Sequence, residues 1–487
     1  MPISAAMLTA IWLSVAGHSF ALVSSSYSQK RSSQPTASVV VDTTIQYQEV
    51  DGFGCSEAFQ RAEDIFGKEG LSAANTNYVL DLLFSEELGA GFSILRNGIG
   101  SSNSSASNFM NSIEPFSPGS PNAQPHYVWD HSNSGQFPLA QQAYARGLQT
   151  LYGDAWSAPG YMKTDDDDNN GGYLCGVTNA TCSTGNWMQA YANYLVQWAR
   201  FYKESGVSVT NIGFLNEPQL DVTYASMLSD GTQAAEFIRV LAKTIEASGM
   251  DLKINCCDGV GWEEQEAMLP GLQAGPDPAI NYLSVITGHG YSSPPNFTLS
   301  THLKTWMSEW ADLSGDYTPY TFYDDGGPGE GMTWARNIQV AFVAANVSGF
   351  LYWEGAENST SNSALINMIG NTVIPSKRFW AFAQFSKFAR PGARRVEATS
   401  SDSLLTVSSF LNQGGSVASQ MINAATTEYT VDLLVKGCDG NCWAQPYLTN
   451  NAHNLTQLQP IQASNDGTFT TSIPALSMVG FVVTEKV

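Results

Sequence analysis

Eight short apolar runs, separated by longer stretches of helical pattern, constrain this chain more than any other feature. They fall at 51–59, 91–100, 148–159, 209–218, 251–259, 283–291, 303–310 and 347–355. Runs of this length bounded by turn residues read as buried parallel strands. Between them lie amphipathic helices. In 186–206, Trp187, Tyr191, Tyr194, Trp198 and Phe201 recur at alternating steps of four and three, which is one helix face, and Gly206 stops it. In 231–249, Ala234, Phe237, Leu241 and Ile245 form the same stripe, and 331–346 and 376–390 supply the last two helices. Eight strand-then-helix units predict an α/β fold, a (β/α)8 TIM barrel spanning 51–390.

After Pro391 the helical period disappears. Residues 391–487 show short alternating runs broken by Gly, Asn and Asp, which predict a β-sandwich side domain. The stretch 37–50 also reads as strand, and residues 40–50 are expected to join the β side domain. Residues 22–39 are Ser-rich and expected to be a flexible lead-in. Residues 1–21 carry an apolar run followed by the small residues Ser19 and Ala21, the pattern of a secretory signal peptide.

Six Asn-x-Ser/Thr sites, at Asn103, Asn179, Asn296, Asn346, Asn358 and Asn454, fit a secreted, extracellular glycoprotein. Of seven cysteines, Cys175 and Cys182 close one short loop, and Cys438 and Cys442 another. Both pairs read as disulfides of an oxidising compartment. Cys55, Cys256 and Cys257 form an odd set whose pairing stays open, with at least one free buried thiol expected.

The net charge of −22 repels nucleic acid and anionic lipid, so neither is an expected partner, and no later segment has membrane-spanning length. A neutral or locally charged substrate fits better. The 12 Trp, 20 Tyr and 23 Phe suit sugar faces, although most aromatics in any chain are core. Asp165 to Asp168 lack the spacing of a calcium loop and read as a solvated turn, so no metal is assigned. There is no dinucleotide glycine motif and no nucleophile elbow, and no cofactor is expected. A monomer is expected.

In barrel enzymes the chemistry sits where strands end. Strand four ends in Asn216-Glu217-Pro218 and strand seven in Ser308-Glu309-Trp310. Glycoside hydrolysis needs two carboxyls flanking one bond, one holding a proton for the leaving oxygen and one ionised. Strands four and seven face each other across a barrel mouth. Either Glu alone reads as a solvated loop residue; the pair on these two strands reads as catalytic.

With these residues the chain resembles glycoside hydrolase family 30. GFGCSEAF after strand one, Trp156-Ser157-Ala158-Pro159 on strand three, FLNEP and MSEW are similar to that family's segments. The segment Gly54 to Arg61 looks most like its fungal xylanase branch, subfamily 7. The resemblance implies retaining cleavage of 1,4-β-xylosidic bonds in xylan or glucuronoxylan, and some members of that branch release xylobiose. It implies Glu217 as acid/base, Glu309 as nucleophile, Asn216 on the sugar 2-hydroxyl, and Trp156 as a subsite wall. Tyr291 would donate to Glu309, and Arg96 would lower its pKa. Arg61 would meet a glucuronate branch; its alternative is an ion pair with Glu57, Glu63 or Asp64. Asn108, in the long loop 101–135, would cap the non-reducing end. Trp262, His289, Trp310 and Trp353 also sit at strand ends, as subsite walls or as core.

The same two Glu serve relatives that cut 1,6-β-galactan or 1,6-β-glucan. A non-catalytic carbohydrate-binding protein would require one Glu to be replaced, and neither is. Chain-end against internal cleavage, pH optimum and oligomeric state are not encoded legibly.

Overall fold

The computed structural model describes residues 34–103 and 109–485. The expected signal peptide, most of the lead-in, and Asn108 lie outside the described residues. Strand β1 (Thr36–Glu49) is the first element. Eight parallel strands follow: β2 (Gly52–Ser56), β3 (Ile94–Gly98), β4 (Thr150–Asp154), β5 (Asn211–Ile212), β6 (Lys253–Gly259), β7 (Leu283–His289), β8 (Lys304–Glu309) and β9 (Gly349–Glu357). Each pairs with the next, and β9 pairs with both β8 and β2, which closes a barrel. All eight coincide with the apolar runs, because strands covered on both faces carry no polar alternation.

Helices α1 (Arg61–Ile65) and α2 (Ala73–Phe84) follow β2, and α3 (Gln136–Tyr144) follows β3. Helices α4 (Met188–Glu204), α5 (Gly231–Ser248), α6 (Trp262–Gln273) and α7 (Gly331–Val343) follow β4, β5, β6 and β8. After β9 come the hairpin β10 (Ala364–Ile369) and β11 (Thr372–Pro375), then α8 (Lys377–Ser386). The predicted stripe on α4 faces the core, with Tyr191, Tyr194 and Trp198 fully buried. Helix α5 starts at an Asp230–Gln233 capping box and ends on Gly249 in the left-handed region.

The sixth unit departs from the predicted pattern, because 290–303 is a loop without a helix. Pro294 and Pro295 fall in the middle of it. They remove two N–H donors and bias the residue before each away from helical backbone.

The C-terminal strands are β12 (Arg394–Ser400), β13 (Leu405–Leu411), β14 (Val417–Asn423), β15 (Tyr429–Val435), β16 (Cys442–Thr449), β17 (Thr456–Gln457), β18 (Ile461–Gln462), β19 (Thr468–Ile473) and β20 (Ser477–Glu485). They form the β-sandwich. Its core joins Val431, Leu433 and Phe469 to Val417, Met421, Ala444 and Phe481. Strand β1 lies within it, parallel to β15 and antiparallel to β12. It begins at Thr36, so residues 36–39 of the expected lead-in are strand; Ala37, Val39 and Val41 already alternate into the core. The sandwich packs on the barrel through α7 and α8. Phe342 meets Phe410 at 5.5 Å, and the Gln384 amide donates to the Tyr447 carbonyl at 2.9 Å.

Disulfides join Cys175 to Cys182 and Cys438 to Cys442. The open set sorts into a Cys256–Cys257 pair on β6 and a free, buried Cys55. Among the described residues, no helix is long and apolar enough to cross a membrane.

Val41 is fully buried where β1 pairs with both neighbours. Val41→Ala removes two buried carbons, so denaturant unfolding is expected to show a loss of about 2 kcal/mol. A loss below about 0.5 kcal/mol, the scale of a surface change, would show that β1 does not anchor the sandwich.

Candidate active site

The C-terminal ends of the barrel strands surround a cleft of about 560 Å³, lined by Phe59, Arg61, Trp156, Glu217, Leu220, Tyr224, Val260, Tyr291, Glu309, Leu313 and Trp353. Both predicted carboxylates are in it. Glu309 is the last residue of β8. Glu217 reaches the cleft differently from the expectation, because regular pairing of β5 ends at Ile212 and an extended turn carries 213–217. Gly213 permits that turn, since a Cβ there would lie 2.0 Å from Asp154 Oδ1 and 2.3 Å from the Tyr152 hydroxyl. Glu217 has φ of +48°, and its N–H donates to the Asp258 carbonyl at 2.8 Å. That bond holds an uncommon backbone conformation in place.

A carboxylate oxygen of Glu217, one of Glu309 and a ring nitrogen of His289 lie within 4.8 Å of one another. Arg96, fully buried on β3, donates to Glu309 Oε2, to Asp154 Oδ2 at 2.7 Å and to Asn216 Oδ1 at 2.6 Å. Tyr291 donates to Glu309 Oε1 at 3.0 Å. The expected partners of Glu309 are therefore both present. The net effect on its pKa differs from the expectation, however. Burial pushes the Glu309 carboxyl up, and His289 and Arg96 oppose that push without reversing it.

His289 is not a subsite wall. It is fully buried, with Nδ1 3.0 Å from Glu217 Oε1 and Nε2 3.3 Å from Asp258 Oδ1. Burial opposes its charge, but Glu309, Asp258 and Glu217 push the imidazole up to about 10. At neutral pH it is an imidazolium donating from both nitrogens.

Trp156 and Trp353 do wall the cleft, meeting at 5.8 Å, with Phe59 edge-on to both. The Trp156 ring also lies 4.4 Å from the Arg96 guanidinium. Trp262 is core, fully buried with its N–H on the Phe297 carbonyl. Trp310 lies outside the cleft lining and packs edge-on to Trp334 at 5.3 Å. Asn216 is buried, with its carboxamide oxygen taken by Arg96. Arg61 lines the cleft, and its Nε pairs with Glu357 at 2.7 Å.

Asp258 and Tyr224, like Asp154, escaped the sequence reading. Asp258, at the end of β6, accepts from Tyr152, Thr287 and Ser308, each at 2.6 Å. Burial works against its charge, but Arg96 and His289 hold it well below the usual carboxylate range. It ends an apolar run, as the two Glu do, so the signal was in the sequence. Tyr224 donates to Glu217 Oε2 at 3.2 Å from an irregular loop that carries no periodic signal.

A closed barrel with two carboxylates meeting at its mouth, from strands four and seven, defines a glycoside hydrolase. Residues 36–269 match the O-glycosyl hydrolase family 30 domain and 392–481 the glycosyl hydrolase family 30 beta sandwich domain. The catalytic domain of GH30 xylanase C from Talaromyces cellulolyticus is 41% identical. That match covers 92% of this chain and 100% of that one, with a TM-score of 0.84. The endo-1,6-beta-D-glucanase BGN16.3 of Trichoderma harzianum is 24% identical over 74% of each chain. A putative glucosylceramidase 4 of Caenorhabditis elegans is 26% identical over 80% of this chain and 78% of its own. The chain belongs to glycoside hydrolase family 30.

Arg96→Met removes one of the two cations that oppose burial, so Glu309 keeps its proton to higher pH. The acidic limb of kcat/KM is expected to move up by about 1 to 3 pH units. Breaking a buried pair also costs about 3–5 kcal/mol, so the profile is recorded at low temperature. An unmoved limb would show that Arg96 does not set the charge of Glu309.

Proposed function

We propose that the protein is a secreted retaining glycoside hydrolase that cleaves 1,4-β-xylosidic bonds of xylan and glucuronoxylan. The observation that carries the mechanism is the approach of Glu217 and Glu309 carboxylate oxygens to within 4.8 Å. Retaining enzymes hold their carboxyls about 5–5.5 Å apart, whereas inverting ones leave about 6.5–9.5 Å for a water.

In the first step a Glu309 oxygen attacks the anomeric carbon. The glycosidic C–O bond breaks, and its electron pair goes to the leaving oxygen, which takes the proton of Glu217. In the second step Glu217, now ionised, removes a proton from water. That water bonds to the anomeric carbon, and the bond to Glu309 breaks. Arg96 and Tyr291 stabilise the charge that returns to Glu309. Asn216, its oxygen held by Arg96, has its NH₂ to offer the 2-hydroxyl.

Xylan is supported by 41% identity across the whole catalytic domain of a xylanase. The second reading, a 1,6-β-glucanase, is supported by the curated glucanase at 24% identity. Secretion is supported by the disulfides and by the exposed positions of Asn103, Asn179, Asn296 and Asn454 as glycan acceptors, with Asn346 and Asn358 only part-exposed.

Incubation with glucuronoxylan, undecorated xylan, 1,6-β-glucan and 1,6-β-galactan separates the readings. Xylo-oligosaccharides are expected from the first two, and products from a 1,6-linked polymer alone would overturn the xylan assignment. Glu309→Ala is expected to lower turnover by roughly 10⁴-fold or more, the scale on which nucleophile removal acts, with binding retained. Normal turnover in that variant would remove Glu309 from the mechanism.

Arg61 is the cation that lines the cleft wall, and a glucuronate branch suits its guanidinium fork. Arg61→Ala is expected to lower kcat/KM on glucuronoxylan by about 10-fold or more and on undecorated xylan by much less. Equal losses would reduce Arg61 to a structural partner of Glu357.

A further inference from the structure

Asp165 to Asp168, expected as a solvated turn, form a turn with Asp165 and Asp166 exposed, and that turn closes over a buried lysine. Lys163 is only 3% exposed. Its ammonium donates to the Asp167 carbonyl at 2.5 Å, the Ser226 carbonyl at 2.8 Å and the Asn169 carbonyl at 3.4 Å, with Asp165 Oδ1 at 3.8 Å. Three main-chain carbonyls and a carboxylate converging on one point is the oxygen set that proteins present to a hard cation. Here the cation is part of the chain. Burial opposes its charge and pushes Lys163 down to about 8, even with Asp165, Asp168, Asp167 and Asp221 around it.

The carbonyls come from two different loops. Asp167 and Asn169 belong to the loop after β4, and Ser226 to the loop after β5. Those loops run together as a short ribbon. Asn170 N–H donates to the Val222 carbonyl at 2.8 Å, Ser226 N–H to the Asp168 carbonyl at 3.0 Å, and Gly171 N–H to Ser226 Oγ at 2.9 Å. Asn169 faces Ala225 across a bridge. Between the Val222 and Ser226 contacts, Tyr224 turns toward the cleft. Its hydroxyl meets Glu217 Oε2 at 3.2 Å and its ring stands edge-on to Phe59 at 6.0 Å.

We propose that Lys163 is an internal cation that locks this ribbon so that Tyr224 meets Glu217, which makes both of them positioning residues for the acid/base. The proposal rests on the reading of Glu217 as acid/base. Its signature lies in proton transfer. A sugar leaving group needs the proton of Glu217 to depart, whereas a nitrophenolate leaves largely without it. A loosened Tyr224 therefore lowers kcat/KM, which reports the first step, on one substrate and spares it on the other; the second step needs Glu217 as base whichever group left. A merely structural lysine lowers kcat/KM on both alike.

The test compares kcat/KM on an unactivated xylo-oligosaccharide and on the nitrophenyl glycoside of the same sugar. Lys163→Met is expected to lower kcat/KM on the oligosaccharide by about 10- to 100-fold, part of what a general acid supplies. On the nitrophenyl glycoside kcat/KM is expected to fall by less than about threefold, a fraction of that same contribution. Tyr224→Phe is expected to show the same split without touching the lysine, and ethylammonium is expected to restore part of the oligosaccharide rate to Lys163→Ala.

Equal losses on both substrates in Lys163→Met, or wild-type ratios in Tyr224→Phe, overturn the proposal. If Lys163→Met does not fold, Tyr224→Phe decides it. Glu217→Ala separates the two levels of inference. If it shows no split, the acid/base reading fails; if it shows one and Tyr224→Phe does not, only the positioning role fails.

Discussion

The guanidinium of Arg96, sealed at the centre of the barrel mouth, is the interaction on which the site depends. It stands on β3 and is met by Asp154 from β4, Asn216 from beyond β5, Asp258 from β6 at 3.5 Å and Glu309 from β8. A buried guanidinium without acceptors is strongly destabilising, and acceptors from three other strands and the turn beyond β5 supply what water would have supplied. The arrangement holds only if those strands keep their register, because a one-residue slip turns each side chain to the opposite face. Barrel packing and catalytic geometry are thus the same constraint. The apolar runs that bury the strands also deliver Glu309 and Asn216 to one cation. His289 is the second cation of the cluster, and together the two carry the negative charge of Asp258 and Glu309 in a place that excludes water.

The barrel was legible because buried parallel strands have few polar interruptions, and the two Glu because they end the apolar runs that mark such strands. The same criterion applied to β4 and β6 marks Asp154 and Asp258. They went unremarked because an Asp after a strand also suits a solvated turn, and only the fold shows what surrounds it. The aromatics divide by strand alternation. Asp154 touches Arg96, and Trp156, two positions on, shares its face and walls the cleft; Trp310 follows Glu309 by one position and packs outward on Trp334. His289 defied that logic because it is both an aromatic and a cation, and composition does not say which property a site uses. Tyr224 and Lys163 were illegible for a different reason. Their roles arise where two irregular loops pair, and no period in either loop announces the partner.

A second pair of carboxyls at the barrel mouth shows how much the surroundings decide. Glu57 follows β2 and Glu354 lies in β9, both buried more deeply than Glu217 and Glu309. Glu57 Oε1 accepts from the Ala356 N–H at 2.7 Å, and burial pushes both carboxyls well above the usual range. Arg61, the cation that acts on them, has its Nε on Glu357. Burial drives these two toward the neutral form, whereas Asp258, equally buried, is held toward the ion because Arg96 and His289 face it. Buried carboxyls are thus pushed in opposite directions by where two cations stand. Glu309 sits between these extremes: burial raises it as it raises Glu57 and Glu354, while the cations that hold Asp258 ionised act on it as well. That balance suits the nucleophile role proposed for it, since a group held too firmly charged attacks poorly and one left neutral does not attack at all.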